Sequence, residues 1–205
     1  KARGYLANKT LSPDAPLDVR VDIPKRPLSD FAPLLSAEVA KKLPSASAEV
    51  HAKISGTLSR PVADVRVEAD GALVPSFASK TAPTTQRAVV VLHTEPSKKG
   101  ATVTARADLT VAEGFAPIVV QASAELAGPL TAARTAGVDW TVDVTVPETD
   151  LASLPLPPEK REGLSGKAGV VVHAKGNRRD VTADVTAGLV GFSRGPLRAL
   201  DAKLE

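Results

Sequence analysis

Three histidines, His51, His93 and His173, and a large set of carboxylates are the side chains here with the chemistry for proton transfer or metal binding. A metal site needs His, Asp or Glu converging on one point. His51 and His173 instead sit in matching contexts, VHAKISG and VHAKGNR, at an offset of 173 − 51 = 122. That places them on equivalent strands, not around one ion. Asp18, Asp22, Glu49, Asp64, Glu68, Asp70, Asp139, Asp143 and Asp184 alternate with Thr, Arg and Lys. An acid–base pair needs environments that push two pKa values apart. On solvated strand faces cross-strand charge pairing is the simpler expectation. No Gly-x-Ser-x-Gly, His-Glu-x-x-His, Gly-x-Gly-x-x-Gly or phosphate-loop motif occurs. The expectation is a chain that is not an enzyme, with no catalytic residue, no metal and no cofactor. Cysteine is absent, which removes disulfides and thiolate metal sites.

The elements carrying these residues are legible from strict period-two alternation. Apolar residues recur at Leu17, Val19, Val21 and Ile23; at Val50, Ala52 and Ile54; and at Val65, Val67 and Ala69. The pattern continues at Ala88, Val90 and Leu92, then Val103, Ala105, Ala107, Leu109 and Val111, then Ile118, Val120, Ala122, Ala124 and Leu126. It returns at Val138, Trp140, Val142, Val144 and Val146, then Val170, Val172 and Ala174, then Val181, Ala183, Val185 and Ala187, and finally Leu200, Ala202 and Leu204. About ten or eleven strands, each apolar on one face and polar on the other, predict an antiparallel sheet with a wet side. Gly- and Pro-marked turns between them favour a meander of hairpins.

Composition constrains what lies on the apolar face. Hydrophobic residues make up 43% of the 205, but aromatics only 3%, and methionine is absent. Ala and Val fill a closed interior poorly, so an open or thin core is expected. No run of 18 apolar residues is present to span a membrane as a helix. The net charge of +3 is dispersed, without the basic clusters and stacking aromatics of a nucleic-acid binder.

The order strand, Pro-flanked connector, two strands occurs twice: PLDVRVDIP, LSDFAPLL and VHAKISG, then GVDWTVDVTVP, ETDLASLP and VHAKGNR. Stacked modules of this kind bury apolar surface against their neighbours. In the first connector Ser29 is positioned to cap a helix bearing Phe31, Leu35, Val39 and Leu43. The second is expected to make one helical turn after Thr149 and then break at Pro155, Pro157 and Pro158. Residues 75–85 read as a long irregular loop. Trp140, the only tryptophan, is expected to pack on the connector after its strand; direct contact with a ligand is its functional alternative.

Leu28-Ser29-Asp30-Phe31-Ala32-Pro33-Leu34, Ala48 to Gly56, Thr57-Leu58-Ser59-Arg60-Pro61 and Asp64 to Gly71 together resemble the pattern of the TamB family of AsmA-like proteins. Thr149-Asp150-Leu151-Ala152-Ser153-Leu154 and Leu164-Ser165-Gly166 carry it in the second copy. That copy has Asn177-Arg178-Arg179-Asp180 in place of the Gly-x-Leu-x-x-Pro link, leaving open whether both copies join their strands alike. The architecture is related to that of bridge-like lipid transfer proteins. The resemblance implies an all-β fold with short helical connectors: an elongated, mainly antiparallel, U-shaped sheet, a β-taco or repeating β-groove, apolar on its concave face. It also implies a periplasmic chain whose parent is anchored in the inner membrane, conducting phospholipid acyl chains towards the outer membrane. Its implied partners are adjacent repeats of the same chain and an outer-membrane barrel protein in outer-membrane protein assembly.

The expected groove lining is Val19, Val21, Val50, Ile54, Val65, Val67, Val90, Leu92, Val103, Ala105, Ala107, Leu109, Val111, Ile118, Val120, Ala122, Ala124, Val138, Trp140, Val142, Val144, Val170, Val172, Val181 and Val185. The expected organisation is a first groove repeat over 1–147 with an amphipathic connector at 27–43. The start of a second repeat occupies 148–205, with a Pro-rich connector at 148–164, in one continuous unit of a longer chain. Two other functions fit the same strands: a structural or adhesive β-sandwich array of a surface protein, and a scaffold that binds partners by strand addition.

Overall fold

The computed structural model describes residues 6–7, 10–11, 14–34, 36, 38, 45–57, 59–71, 86–98, 100–111, 115–127, 138–154, 156, 158–177 and 179–205. Leu35, Val39, Leu43 and the loop at 75–85 lie outside these residues. The described chain is all-β, with twelve strands. β1 (Leu6–Ala7) and β2 (Thr10–Leu11) form a two-residue ladder. The other ten are β3 (Pro16–Pro27), β4 (Ala46–Thr57), β5 (Pro61–Gly71), β6 (Gln86–Pro96), β7 (Gly100–Thr110), β8 (Ile118–Ala127), β9 (Asp139–Asp150), β10 (Ser165–Gly176), β11 (Val181–Arg194) and β12 (Leu197–Leu204). They form one open sheet in strict chain order, every pair antiparallel. Each alternating segment of the sequence is thus a strand, and each lies beside its sequence neighbours.

The sheet does not close, and β3 and β12 are its edges. An uninterrupted antiparallel ladder of this length is the architecture of an elongated β-groove. Ten strands at about 4.8 Å spacing extend about 43 Å along the stacking direction. We therefore expect solution scattering to give a radius of gyration clearly above the ~17 Å of a compact chain of this length. A compact, spherical profile would contradict the open sheet.

The two ends of the sheet are built differently. At one end β4–β5, β6–β7 and β10–β11 are joined by two-residue hairpins. Thr57 N–H donates to the Arg60 carbonyl at 3.3 Å and Arg60 N–H returns to Thr57 at 3.1 Å. Ser97 N–H donates to Gly100 at 3.0 Å, and Asn177 N–H to Asp180 at 2.8 Å. The two copies therefore join these strands alike, but their loops are held by different side chains. The Thr57 hydroxyl accepts from Arg60 N–H, whereas the Asn177 side-chain oxygen accepts from Arg179 and Asp180 N–H.

The other end carries the helical connectors. After β3 comes a 3-10 helix at Leu28–Leu34, with Pro33 inside it. Ser29 lies within this element, so it is not the cap the sequence suggested. After β9 the cap is Asp150, one residue beyond Thr149: its carboxylate accepts from Ala152 N–H at 2.9 Å and starts the turn Leu151–Ser153. A further helical turn, Pro158–Arg161, begins on proline, whose missing N–H costs nothing at that position. A β-bulge precedes both connectors, between Ile23 and Arg26 on β3 and beside Val146 on β9. Bulges bend the strand and turn the chain beyond them in a new direction.

Candidate functional site

Register assembles the apolar positions into rows that cross nine strands. One runs Val21–Ala52–Val65–Leu92–Ala105–Ala122–Val142–Ala174–Ala183. The next runs Ile23–Val50–Val67–Val90–Ala107–Val120–Val144–Val172–Val185. A third runs Val19–Ile54–Ala63–Thr94–Val103–Ala124–Trp140–Gly176–Val181. Leu109 and Ile118 face each other in a shorter row, Val170 pairs with Val146 and Ala187, and Val111 and Val138 flank the ends of β7 and β9. The expected lining residues on the strands therefore share one face.

That face is not sealed. The only buried apolar residues among those described are Ala15, Ala48 and Ala101, and none of the described side chains is fully buried. Val21 is 39% exposed, Val90 36% and Val185 41%. Three rows with their flanks make a band about 20 Å wide and about 38 Å long, about 760 Å². The largest apolar patch on an ordinary monomer is about 300–600 Å² and is itself often functional. Thr94 interrupts the third row as a buried polar residue whose hydroxyl accepts from Ala63 N–H at 3.0 Å.

Trp140 departs from expectation. Its indole does not reach the connector after β9; it lies at the hairpin end, over Gly176 of β10. A Cβ added to Gly176 would stand 2.9 Å from Trp140 Cζ2. Gly176 therefore makes room for the ring on the apolar face. A hollow of about 520 Å³ at this end of the sheet is lined mainly by polar-face residues, among them Ser123, Glu125, Asp139, Thr141 and Lys175. Two further hollows, about 370 and 310 Å³, lie on the polar face around His93 and His51.

The polar face holds an arrangement that sequence reasoning missed. Each histidine stands directly opposite an aspartate of the preceding strand: Asp22–His51, Asp64–His93 and Asp143–His173. In every pair Nδ1 faces the carboxylate, at 2.9, 2.6 and 2.6 Å. The sequence separations of 29, 29 and 30 residues were a readable signal of one register recurring. Around them Arg66 and Arg87 both bind Glu68, and Arg106 binds Asp108. Arg87, then Arg66, holds the Glu68 carboxyl below its ordinary range, and Arg106 does the same for Asp108.

His51 is raised above its ordinary value of 6.5 by hydrogen bonds to Asp22 and then Glu49. A raised histidine contributes stability below the unfolded-state pKa and loses it as pH rises through the folded value. Nuclear magnetic resonance titration should find His51 displaced upwards, returning towards 6.5 in Asp22→Asn/Glu49→Gln. An unchanged titration in the double variant would refute the pairing.

Among the described residues no group of His, Cys, Asp and Glu is placed to hold a metal ion, and no helix is long and apolar enough to cross a membrane. No family model, curated protein or solved structure matches the chain.

Proposed function

We propose that the chain is a non-enzymatic segment of a periplasm-spanning protein whose apolar face conducts phospholipid between inner and outer membranes, as its resemblance to the TamB family implies. The observation that supports it most is the part-exposed apolar band, continuous across nine strands and made mainly of small aliphatic side chains. Its rows run across the strands, so an alkyl chain sliding along them meets aliphatic groups at each step. Almost none of the side chains on it demands a hydrogen bond, and nothing on it is shaped to fix one ligand. That suits passage of acyl chains better than tight retention of a single molecule. Adjacent repeats of the same chain would extend the face, and an outer-membrane barrel protein is the proposed receiving partner.

Strand addition is the second reading. It is favoured by β12, an edge strand whose residues are all exposed, with Leu197 at 55% and Leu204 at 66%. The observation that weighs against a sandwich array is that the ten long strands form a single sheet in chain order.

Mass spectrometry of an organic extract of the purified protein separates the first two readings. Co-purifying phospholipid, lost on charging the apolar face, is the expected result. Reproducible absence of lipid, together with capture of a β-strand peptide at the β12 edge, would transfer the assignment to strand addition.

A further inference from the structure

We propose that the hairpin end of the sheet is a cationic rim that binds the phosphate of an amphiphile whose alkyl chain lies on the apolar face; this rests on the lipid reading above. The antiparallel order brings the β4–β5, β6–β7 and β10–β11 hairpins to one end of the sheet. Each contributes an exposed basic residue: Arg60, Lys98 and Arg179. The neighbouring loop residues Lys99 and Arg178 are basic too, and Asp180 is the only acid in these three loops. The connections at the other end of the sheet hold acids and bases in near balance by sequence.

None of Arg60, Lys98 and Arg179 has an ion-pair partner among the described residues. Several basic side chains on the strands are committed, Lys25 to Asp70, Arg66 and Arg87 to Glu68, and Arg106 to Asp108, while Arg20, Lys53 and Lys175 have no ion pair among the described residues. Asp14 and Asp180 also stand at this end, while Glu95, Glu125 and Asp139 alternate onto the polar face, away from the apolar rows. The β4–β5 and β6–β7 hairpins, two strands apart, lie about 10 Å from one another, close to the Debye length of about 8 Å at physiological salt, and the β10–β11 hairpin stands four strands beyond β6–β7, about 19 Å away. The fields of Arg60 and Lys98 therefore overlap, and Arg179 extends the basic character of the rim to the Trp140 end of the sheet. A phosphate there stays hydrated, while its chain displaces water from valine and alanine beside it.

Trp140 supplies the readout, since it sits on the apolar face at this same end, beside the 177–180 hairpin. Two probes share one dibrominated acyl chain: a lysophosphatidylglycerol and the matching uncharged monoacylglycerol, both below their micellar concentrations. Quenching of Trp140 in the full chain reports binding. The phosphate-bearing probe is expected to bind about tenfold more tightly, an advantage that shrinks with added salt. Arg60→Gln/Lys98→Gln/Arg179→Gln is expected to abolish that advantage and leave monoacylglycerol binding unchanged. Equal affinity for the two probes, or an advantage surviving in the triple variant, would overturn the rim while leaving the apolar face as a lipid site. Failure of both probes to quench Trp140 would overturn the lipid reading and the rim with it.

Discussion

Val142→Arg should abolish acyl-chain binding and leave the fold intact. Val142 lies in the central of the three apolar rows, between Ala122 and Ala174. A guanidinium there stands in the path of an alkyl chain, and covering it without a partner costs a few kcal/mol. Lipid affinity should therefore fall by at least about tenfold. The protein should still fold, because its neighbours are small and the face is open, so the arginine can extend its head into water. The matched control is Thr145→Arg, exposed on the polar face between Val119 and Val171. Thr141 is a poorer control, because its hydroxyl bonds Ser123 at 2.7 Å. Binding titrations and thermal melts of both variants decide the matter. Equal losses of binding would show that the two faces have been assigned wrongly.

The second large effect is on stability. Gly166→Ala should destabilise the sheet by about 3 kcal/mol, the sum of an unfavourable backbone conformation and a steric overlap. Gly166 has φ +105° and sits at the irregularity between Ser165 and Lys167, where β10 meets β11. A Cβ would stand 2.8 Å from the Gly191 carbonyl oxygen and 2.8 Å from Phe192 Cα, both backbone atoms that cannot swing aside. Gly188 on β11 has open space around its Cβ position. Gly188→Ala should therefore be neutral or stabilising by about 0.5 kcal/mol, through reduced freedom of the unfolded chain. Urea denaturation of the two variants measures the difference. Similar midpoints would mean that the bulge at Gly166 is not fixed as described.

Local chemistry made much of this legible. A side chain's face on a strand is set by its parity, so Val103, Ala105 and Ala107 could be placed on one side of β7 without any tertiary information. Short turns force neighbouring strands to pair, and the meander is the result. The connectors were less legible. Ser29 looks like a cap, but a helix start is fixed by where the preceding ladder ends, and β3 and β9 each run on past a bulge.

What the sequence determined by itself was the inward–outward division of the strands, their order, and the scarcity of large side chains that leaves the apolar face thinly covered. Tertiary structure decided everything that depends on register. It set Asp22, Asp64 and Asp143 opposite His51, His93 and His173, aligned Trp140 with Gly176, and gathered Arg60, Lys98 and Arg179 on one rim. The physical reason is that alternation fixes a residue's face but not its height along the strand. Height is set by hairpin length and by bulges, through hydrogen bonds between residues distant in the chain.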